Sequence, residues 1–135
     1  MGVEFKDNSA AVKAQMEKNI AKALVAIGLH WQQRATELAT DNSVVDTGRF
    51  RASLSYITPD KESGLNKPVS ESKLEDALSG TAPKDMVIVG SNVEYAPYLE
   101  SGTARMSPRP TVGSAVLYYK DEYQEIAKET LKEGF

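Results

Sequence analysis

The most constraining feature of the sequence is an apolar stripe that recurs at steps of three or four residues. Its members are Val12, Met16, Ile20, Leu24, Ile27, Trp31, Ala35 and Leu38. This spacing predicts one amphipathic helix from Ser9 to Thr40, which would be about 48 Å long. A compact chain of this size is only about 37 Å across. The helix must therefore bend, with Gly28 as the candidate position, or extend beyond its own domain and need a partner.

Two shorter apolar runs predict strands. Residues 52–58 alternate in the manner of a strand, and the β-branched run 86–89 ends at Gly90. Residues 59–85, between the two runs, are rich in turn formers and charges. A connection of this length in a compact domain is usually functional or disordered, so we expect a long, mobile polar loop.

The C-terminal third of the chain predicts two more helices. Residues 93–101 have the spacing of a short helix that stops at Gly102, and residues 110–133 carry a second long apolar stripe. The predicted fold class is therefore α+β, with two long amphipathic helices packed on a small, mainly antiparallel sheet. A length of 135 residues suits a single domain, which we place at 1–135.

The segment between the first helix and the first strand predicts a tight turn. The carboxylate of Asp46 can accept hydrogen bonds from the backbone N–H groups of Gly48 and Arg49. Gly48 also supplies the backbone freedom that such a turn demands. We therefore interpret Asp46, Gly48 and Arg49 as residues with a structural role.

The residue types present argue against catalysis. The chain has no cysteine and one histidine, His30, so neither a thiolate site nor a histidine metal triad can form. Its glycines are isolated and make no phosphate-binding loop. The carboxylates of the last predicted helix alternate with lysines, which is typical of a solvated face. We expect a protein that is not an enzyme and that needs no metal and no cofactor.

Charge and hydropathy argue against two classes of partner. The net charge is −3, and acids and bases are mixed along the chain, so there is no basic stripe for gripping nucleic acid. The longest apolar stretch, residues 20–29, contains Lys22 and is too short to span a bilayer. The N-terminus lacks the pattern of a secretory signal. We expect neither DNA binding nor membrane association.

Two features of the C-terminal half are compatible with a protein interface. Five tyrosines fall in one stretch: Tyr95, Tyr98, Tyr118, Tyr119 and Tyr123. Tyrosine is enriched at interfaces, although half-exposed core positions explain these residues equally well. Arg105 and Arg109 flank a short Met-Ser-Pro segment and could form a cationic hook for an acidic group. The alternative is an ordinary solubilising loop.

Three segments, in order along the chain, resemble the signatures of a phage minor tail-component family. Residues 46–53 (DTGRFRAS) are similar to its D-T-G-x-L-R-x-S. Residues 87–91 (VIVGS) and 95–103 (YAPYLESGT) resemble V-x-V-G followed by Y-A-x-x-x-E-x-G-T, and residues 106–110 (MSPRP) resemble M-x-A-R-P. The resemblance covers nearly the whole chain, including the long first helix.

The resemblance implies a structural virion protein, namely a tail-completion or head–tail joining subunit of a long-tailed phage or prophage. Such subunits form a homo-oligomeric ring, expected here to be hexameric, between the head connector and the tail tube. DNA passes through the ring without specific binding, and the protein resides in the virion neck after assembly in the host cytoplasm. The candidate interface residues are Trp31, Tyr95, Tyr98, Glu100, Arg105 and Arg109. The alternative is a small intracellular protein-binding or regulatory domain that is not part of a virion.

Overall fold

The computed structural model describes residues 8–41, 48–60, 76–105, 107–108 and 110–135. Its elements are α1 (Ser9–Asp41), α2 (Gly48–Ser53), β1 (Ser55–Ile57), β2 (Ile88–Gly90), α3 (Ala96–Ser101), α4 (Val112–Tyr118) and α5 (Lys120–Leu131). The predicted α+β class is confirmed. Three parts of the sequence predictions lie outside the described residues: Asp46 of the predicted turn, Arg109, and residues 61–75 of the predicted loop.

The long first helix is confirmed, with 33 residues in α1, but its buried face changes along its length. In the C-terminal half the predicted stripe residues Trp31 and Ala35 are buried, whereas Val12 and Met16 near the N-terminus are exposed. Asn19 is buried there instead. Its side-chain amide donates to the carbonyl oxygens of Leu131 and Glu133 at 3.3 and 2.7 Å, which satisfies a polar group that would otherwise be costly to bury.

Gly28, the candidate for a bend, lies inside α1, which continues through it without interruption. A Cβ built on Gly28 would lie 2.5 Å from Cδ2 of Tyr56. The absence of a side chain therefore allows α1 and β1 to approach closely.

The sheet has two antiparallel strands, with Ser55 opposite Gly90, Tyr56 opposite Val89 and Ile57 opposite Ile88. The predicted strand 52–58 is too long, because its first two residues belong to α2.

Tertiary burial explains that shorter strand. Phe50 and Leu54 are both fully buried in the core, and a spacing of four residues places both side chains on one side of a helical turn. The expected alternation also fails, since all three residues of β1 are buried. Ile88 of β2, by contrast, is exposed.

The predicted second long helix, 110–133, is divided into α4 and α5 at Tyr119, whose backbone angles are φ −112° and ψ 22°. The Tyr119 side chain is half-buried, and the guanidinium carbon of Arg34 lies 4.8 Å from its ring centroid. The Tyr123 hydroxyl donates to the carbonyl oxygen of Ala115 at 2.6 Å across the break. These contacts offset the helical hydrogen bonds that a break removes.

Helix α5 runs antiparallel along α1, and α4 packs on another side of α1. Glu122 near the start of α5 contacts His30, whereas Leu131 at its end contacts Asn19. The indole N–H of Trp31 donates to the carbonyl oxygen of Val112, at the start of α4, at 3.2 Å. The core thus gathers around the C-terminal half of α1, between α2, α3 and α4. Its buried members are Trp31, Ala35, Ala39, Phe50, Leu54, Ala96, Leu99 and Ala115.

Candidate protein-interaction surface

Arg49 joins three segments that are distant in the sequence. It lies in the first turn of α2, and its Nε and Nη2 donate to the two carboxylate oxygens of Asp76 at 2.9 and 2.8 Å. Its Nη1 and Nη2 donate to Glu94 at 3.0 Å each. The guanidinium also lies 5.9 Å from the ring centroid of Tyr95. The structural role predicted for Arg49 stays a prediction, and these contacts support it.

The electrostatics of this cluster favour the ionised forms. The Asp76 side chain is 2% exposed, and such a carboxylate is stable only with a bidentate partner of this kind. Hydrogen bonds to Asp76, and then to Glu94, raise the pKa of Arg49 above its ordinary value. The hydrogen bond from Arg49 lowers the pKa of Glu94.

Glu100, a predicted interface residue, binds the start of α4 within its own chain. Its Oε1 accepts hydrogen bonds from the backbone N–H groups of Thr111 and Val112 at 2.6 Å each. Its Oε2 accepts one from Gly113 at 3.3 Å. A carboxylate here satisfies N–H groups that have no partner inside the helix and opposes the positive end of the helix dipole. Glu100 therefore acts as a cap.

Trp31 is not available for an interface on the surface of this chain. Its side chain is 1% exposed and belongs to the core cluster. The pattern that placed it on the apolar stripe was right, and the stripe is covered at this position by α4. Trp31 is therefore corrected from an interface residue to a core residue.

The other candidate interface residues differ in exposure. Tyr95 is half-buried, with its ring centroid 6.4 Å from that of Phe50. Tyr98 and Arg105 are exposed, while Arg109 lies outside the described residues. Tyr98 and Arg105 are thus the two candidates that the structure leaves accessible.

A run of exposed apolar side chains on α4 was missed by the sequence analysis. Val116, Leu117 and Tyr118 are 41%, 72% and 70% exposed, and we call these three residues the α4 ridge. The sequence analysis predicted one unbroken helix with a single apolar stripe over residues 110–133. Three consecutive exposed apolar residues are unfavourable in water unless a function requires them.

A groove on another side of the molecule was also missed. It has a volume of about 360 Å³ and lies between α1 and the end of β1. Its lining residues are Ala21, Lys22, Val25, Ala26 and Leu29 of α1, with Thr58 and Asp60 opposite them. We call this the α1 groove. Leu29 is exposed within it. No periodicity predicts the groove, because its two walls are brought together only by the fold.

His30 belongs to a polar cluster that links α1 and α5. Its Nε2 lies 2.7 Å from Oε1 of Glu122, and Nη2 of Arg34 donates to the same oxygen at 2.7 Å. The hydrogen bond with His30, followed by that from Arg34, lowers the pKa of Glu122. The His30 ring also meets Tyr123 edge-on at 5.7 Å. The single histidine thus connects two helices.

Neither a metal site nor a membrane-spanning helix is found in the part of the chain that the structure describes. No group of three or more His, Asp or Glu side chains there could hold a metal ion. None of the helices there is long and apolar enough to cross a membrane.

The comparisons with known proteins do not assign the chain to a family. A scan against protein-family models, a search of curated proteins and a search of solved structures all return no match.

Proposed function

We propose that this chain is a structural subunit of a long-tailed phage or prophage, and that it completes the tail or joins the tail to the head. In this role it forms a ring between the head connector and the tail tube, and it performs no catalysis. The observation that carries the proposal is that contacts join the sequence segments that resemble the tail-component signatures, or the residues directly beside them. The first segment is far from the other two in the sequence, and hydrogen bonds and ring contacts connect all three regions in the fold.

The first and second segments meet at Arg49. This residue belongs to the first signature, and it lies against Tyr95 of the second signature and binds Glu94 beside it. The second and third segments meet at Glu100, whose carboxylate binds the N–H groups that directly follow the third signature. Residues that hold one fold together would be retained in proteins that share it, which supports the resemblance.

The surface supports assembly with other subunits. The N-terminal end of α1 exposes Val12 and Met16, and the α4 ridge exposes three more apolar residues. Exposed apolar patches of this kind mark interaction sites. Ring subunits need two different, complementary surfaces because they associate head to tail.

The charge supports a channel that DNA can pass. The net charge is −3, and acids and bases alternate along the chain without a run of Lys and Arg, so the sequence offers no basic stripe to hold a duplex, which carries one negative charge per about 1.7 Å. A ring of such subunits would let DNA slide through. Tight, salt-sensitive DNA binding by the purified protein would contradict this part of the proposal.

A deletion experiment tests the function. The gene is removed from the genome that carries it, particle production is induced, and lysates are examined by electron microscopy. We expect filled heads and separate tails that fail to join, and we expect the wild-type gene supplied in trans to restore complete particles with density for the protein on the tail axis. Normal particles without the protein would favour the intracellular protein-binding domain instead.

A further inference from the structure

We propose that the α1 groove and the acidic cavity beside it bind a segment of another protein that carries both large apolar side chains and lysine or arginine. The inference goes beyond the proposed function, because it names the chemistry of a partner and holds whichever assembly the chain belongs to. It rests on the continuity of the two cavities, on their exposed apolar lining and on an excess of unpaired carboxylates along them.

The α1 groove continues into a second cavity of about 220 Å³. Both cavities are lined by Ala21, Thr58 and Asp60, so they form one trough beside α1. Along α1 the trough runs from Glu17 to Leu29, a distance of about 18 Å at about 1.5 Å per residue. A trough of that length suits about five residues of an extended chain or about twelve residues of a helix.

One end of the trough is apolar. Val25, Ala26 and Leu29 line it, and Leu29 is 51% exposed. Ile20 and Leu24, which are half-buried, continue the apolar lining into the second cavity. Exposed apolar surface within a concavity is typical of binding sites, so an occupant should bring apolar side chains of its own.

The other end of the trough is acidic. Glu17, Asp60 and Asp85 line the second cavity and are exposed. None of these three carboxylates takes part in an ion pair within the part of the chain that the structure describes. Their charges are therefore available to an occupant.

The lysines of the trough do not balance these carboxylates. Lys22, at the apolar end, is already ion-paired with Glu133 of its own chain. Lys84 is a single cation beside the three carboxylates of the second cavity. The lining of the trough thus carries an excess of negative charge, and charge complementarity favours an occupant that brings lysine or arginine.

Two other classes of occupant fit this trough less well. No group of three or more acidic side chains among the described residues could hold a metal ion. The carboxylates are therefore too widely spaced for one small cation and suit a chain that carries its cations along its length. Nucleic acids and anionic membrane surfaces have the same sign of charge as the trough and would be repelled.

Fluorescence anisotropy with three synthetic peptides tests the inference. Each probe is about twelve residues long, to match the trough. The first contains leucine and lysine, the second contains leucine and glutamate in the same order, and the third contains serine and lysine. We expect the leucine–lysine probe to bind at least about tenfold more tightly than either of the others, and salt to weaken its binding. Equal binding of all three probes, or binding of none, would overturn the inference.

Neutral substitutions locate the charge contribution. The trough variant replaces its three carboxylates by amides: Glu17→Gln, Asp60→Asn and Asp85→Asn. Asparagine suits position 85, where φ is 60°, because it tolerates that conformation. The control variant makes the same change on the exposed face of α5: Asp121→Asn, Glu125→Gln and Glu129→Gln. The trough variant should bind the leucine–lysine probe about tenfold more weakly than wild type, and the control variant should lose clearly less. Equal losses would show that only net charge matters, which would contradict the inference.

A serine substitution tests the apolar end. Leu29→Ser should weaken binding of the leucine–lysine probe by about tenfold, because the variant has less apolar surface to bury. Leu117→Ser on the α4 ridge removes a side chain that is also exposed and serves as the control. Thermal midpoints verify that both variants fold. Unchanged affinity in Leu29→Ser would place the probe elsewhere and overturn the inference.

The accessibility of the trough distinguishes the remaining occupants. The chain has no native cysteine, so Ala26→Cys places a single thiol in the trough and Glu129→Cys places one on the exposed face of α5. We expect A26C to react with a small maleimide, and the leucine–lysine probe to slow that reaction without affecting E129C.

Two results of this labelling would overturn the inference. If A26C is unreactive without the probe, the same chain already fills the trough. If A26C becomes protected as the protein concentration rises, a second copy fills it. None of these measurements needs phage particles, so their outcome does not depend on the proposed function.

Discussion

Gly28 and Tyr56 are in such close contact that no side chain can be added between them. A Cβ built on Gly28 lies 2.5 Å from Cδ2 and 2.6 Å from Cγ of the Tyr56 ring. These ring atoms are near the backbone of β1 and cannot move away freely. The contact thus sets the distance between α1 and the sheet.

Gly28→Ala should therefore lower the free energy of unfolding by about 1–3 kcal/mol, as overpacking of a core does. The matched control is Gly113→Ala on α4, where a Cβ would meet only Oε2 of Glu100 at 3.5 Å. That change should raise stability by about 0.4–1 kcal/mol, because alanine restricts the unfolded chain. Urea denaturation measures both. Equal effects of the two substitutions would show that Tyr56 does not limit the space at Gly28.

Glu100→Ala should lower the free energy of unfolding by about 1–2 kcal/mol, the usual cost of losing a helix N-cap. Its carboxylate accepts three backbone N–H groups at the start of α4. Glu100→Gln keeps one acceptor oxygen and should fall between Ala and wild type. Glu129→Ala, on the exposed face of α5, should change stability by about 0.5 kcal/mol or less. If Glu100→Ala matched that control in chemical denaturation, Glu100 would not be a cap.

Tyr123→Phe should cost about 1–2 kcal/mol, because it leaves the buried carbonyl of Ala115 without its donor. Tyr118→Phe changes an exposed hydroxyl and is the matched control. Burial raises the pKa of Tyr123 to about 12, so Tyr123→Phe should also remove a phenol that ionises near that pH in an ultraviolet titration. Loss of a step near pH 10 instead would show that Tyr123 is solvated.

Glu122→Gln should destabilise the protein near neutral pH and have a smaller effect in acid. The pKa of Glu122 is held below its ordinary value of 4.5 by the hydrogen bonds with His30 and Arg34. Because the folded-state pKa is the lower one, the stabilisation is complete above about pH 4.5 and is lost as pH falls through the folded-state value. Thermal midpoints of the two proteins should converge in acid. A constant difference across that range would show that Glu122 does not contribute through its charge.

Arg105→Ala should leave folding nearly unchanged, since Arg105 is exposed and such changes shift stability by about 0.5 kcal/mol or less. The proposed function predicts that the variant nevertheless fails to restore complete particles to a deletion mutant. Arg51→Ala is the comparison variant, because Arg51 makes a contact within its own chain. Its Nη1 donates to Oγ1 of Thr40 at 3.3 Å. A collapse of the thermal midpoint for Arg105→Ala would show that this arginine serves the fold.

Periodicity in the sequence was enough to predict α1 and the α+β class, because an apolar stripe with helical spacing over about seven turns does not fit the two-residue period of a strand. It also predicted α3 and its end at Gly102, where φ is 76° and glycine avoids a steric cost. These features depend on contacts between residues close together in the chain.

Other features depend on partners that are distant in the sequence, and only the tertiary structure decided them. Asn19 is buried because the last turn of α5 supplies its acceptors, more than 100 residues away. Arg49 donates hydrogen bonds to Asp76, which lies 27 residues further along the chain. The α1 groove exists because the end of β1 lies beside α1. The sequence by itself therefore determined the long first helix, the short helix that ends at Gly102 and the class of fold. The break at Tyr119, the contact of α4 with Trp31 and the exposed α4 ridge came from competition between neighbours in space, which local periodicity does not encode.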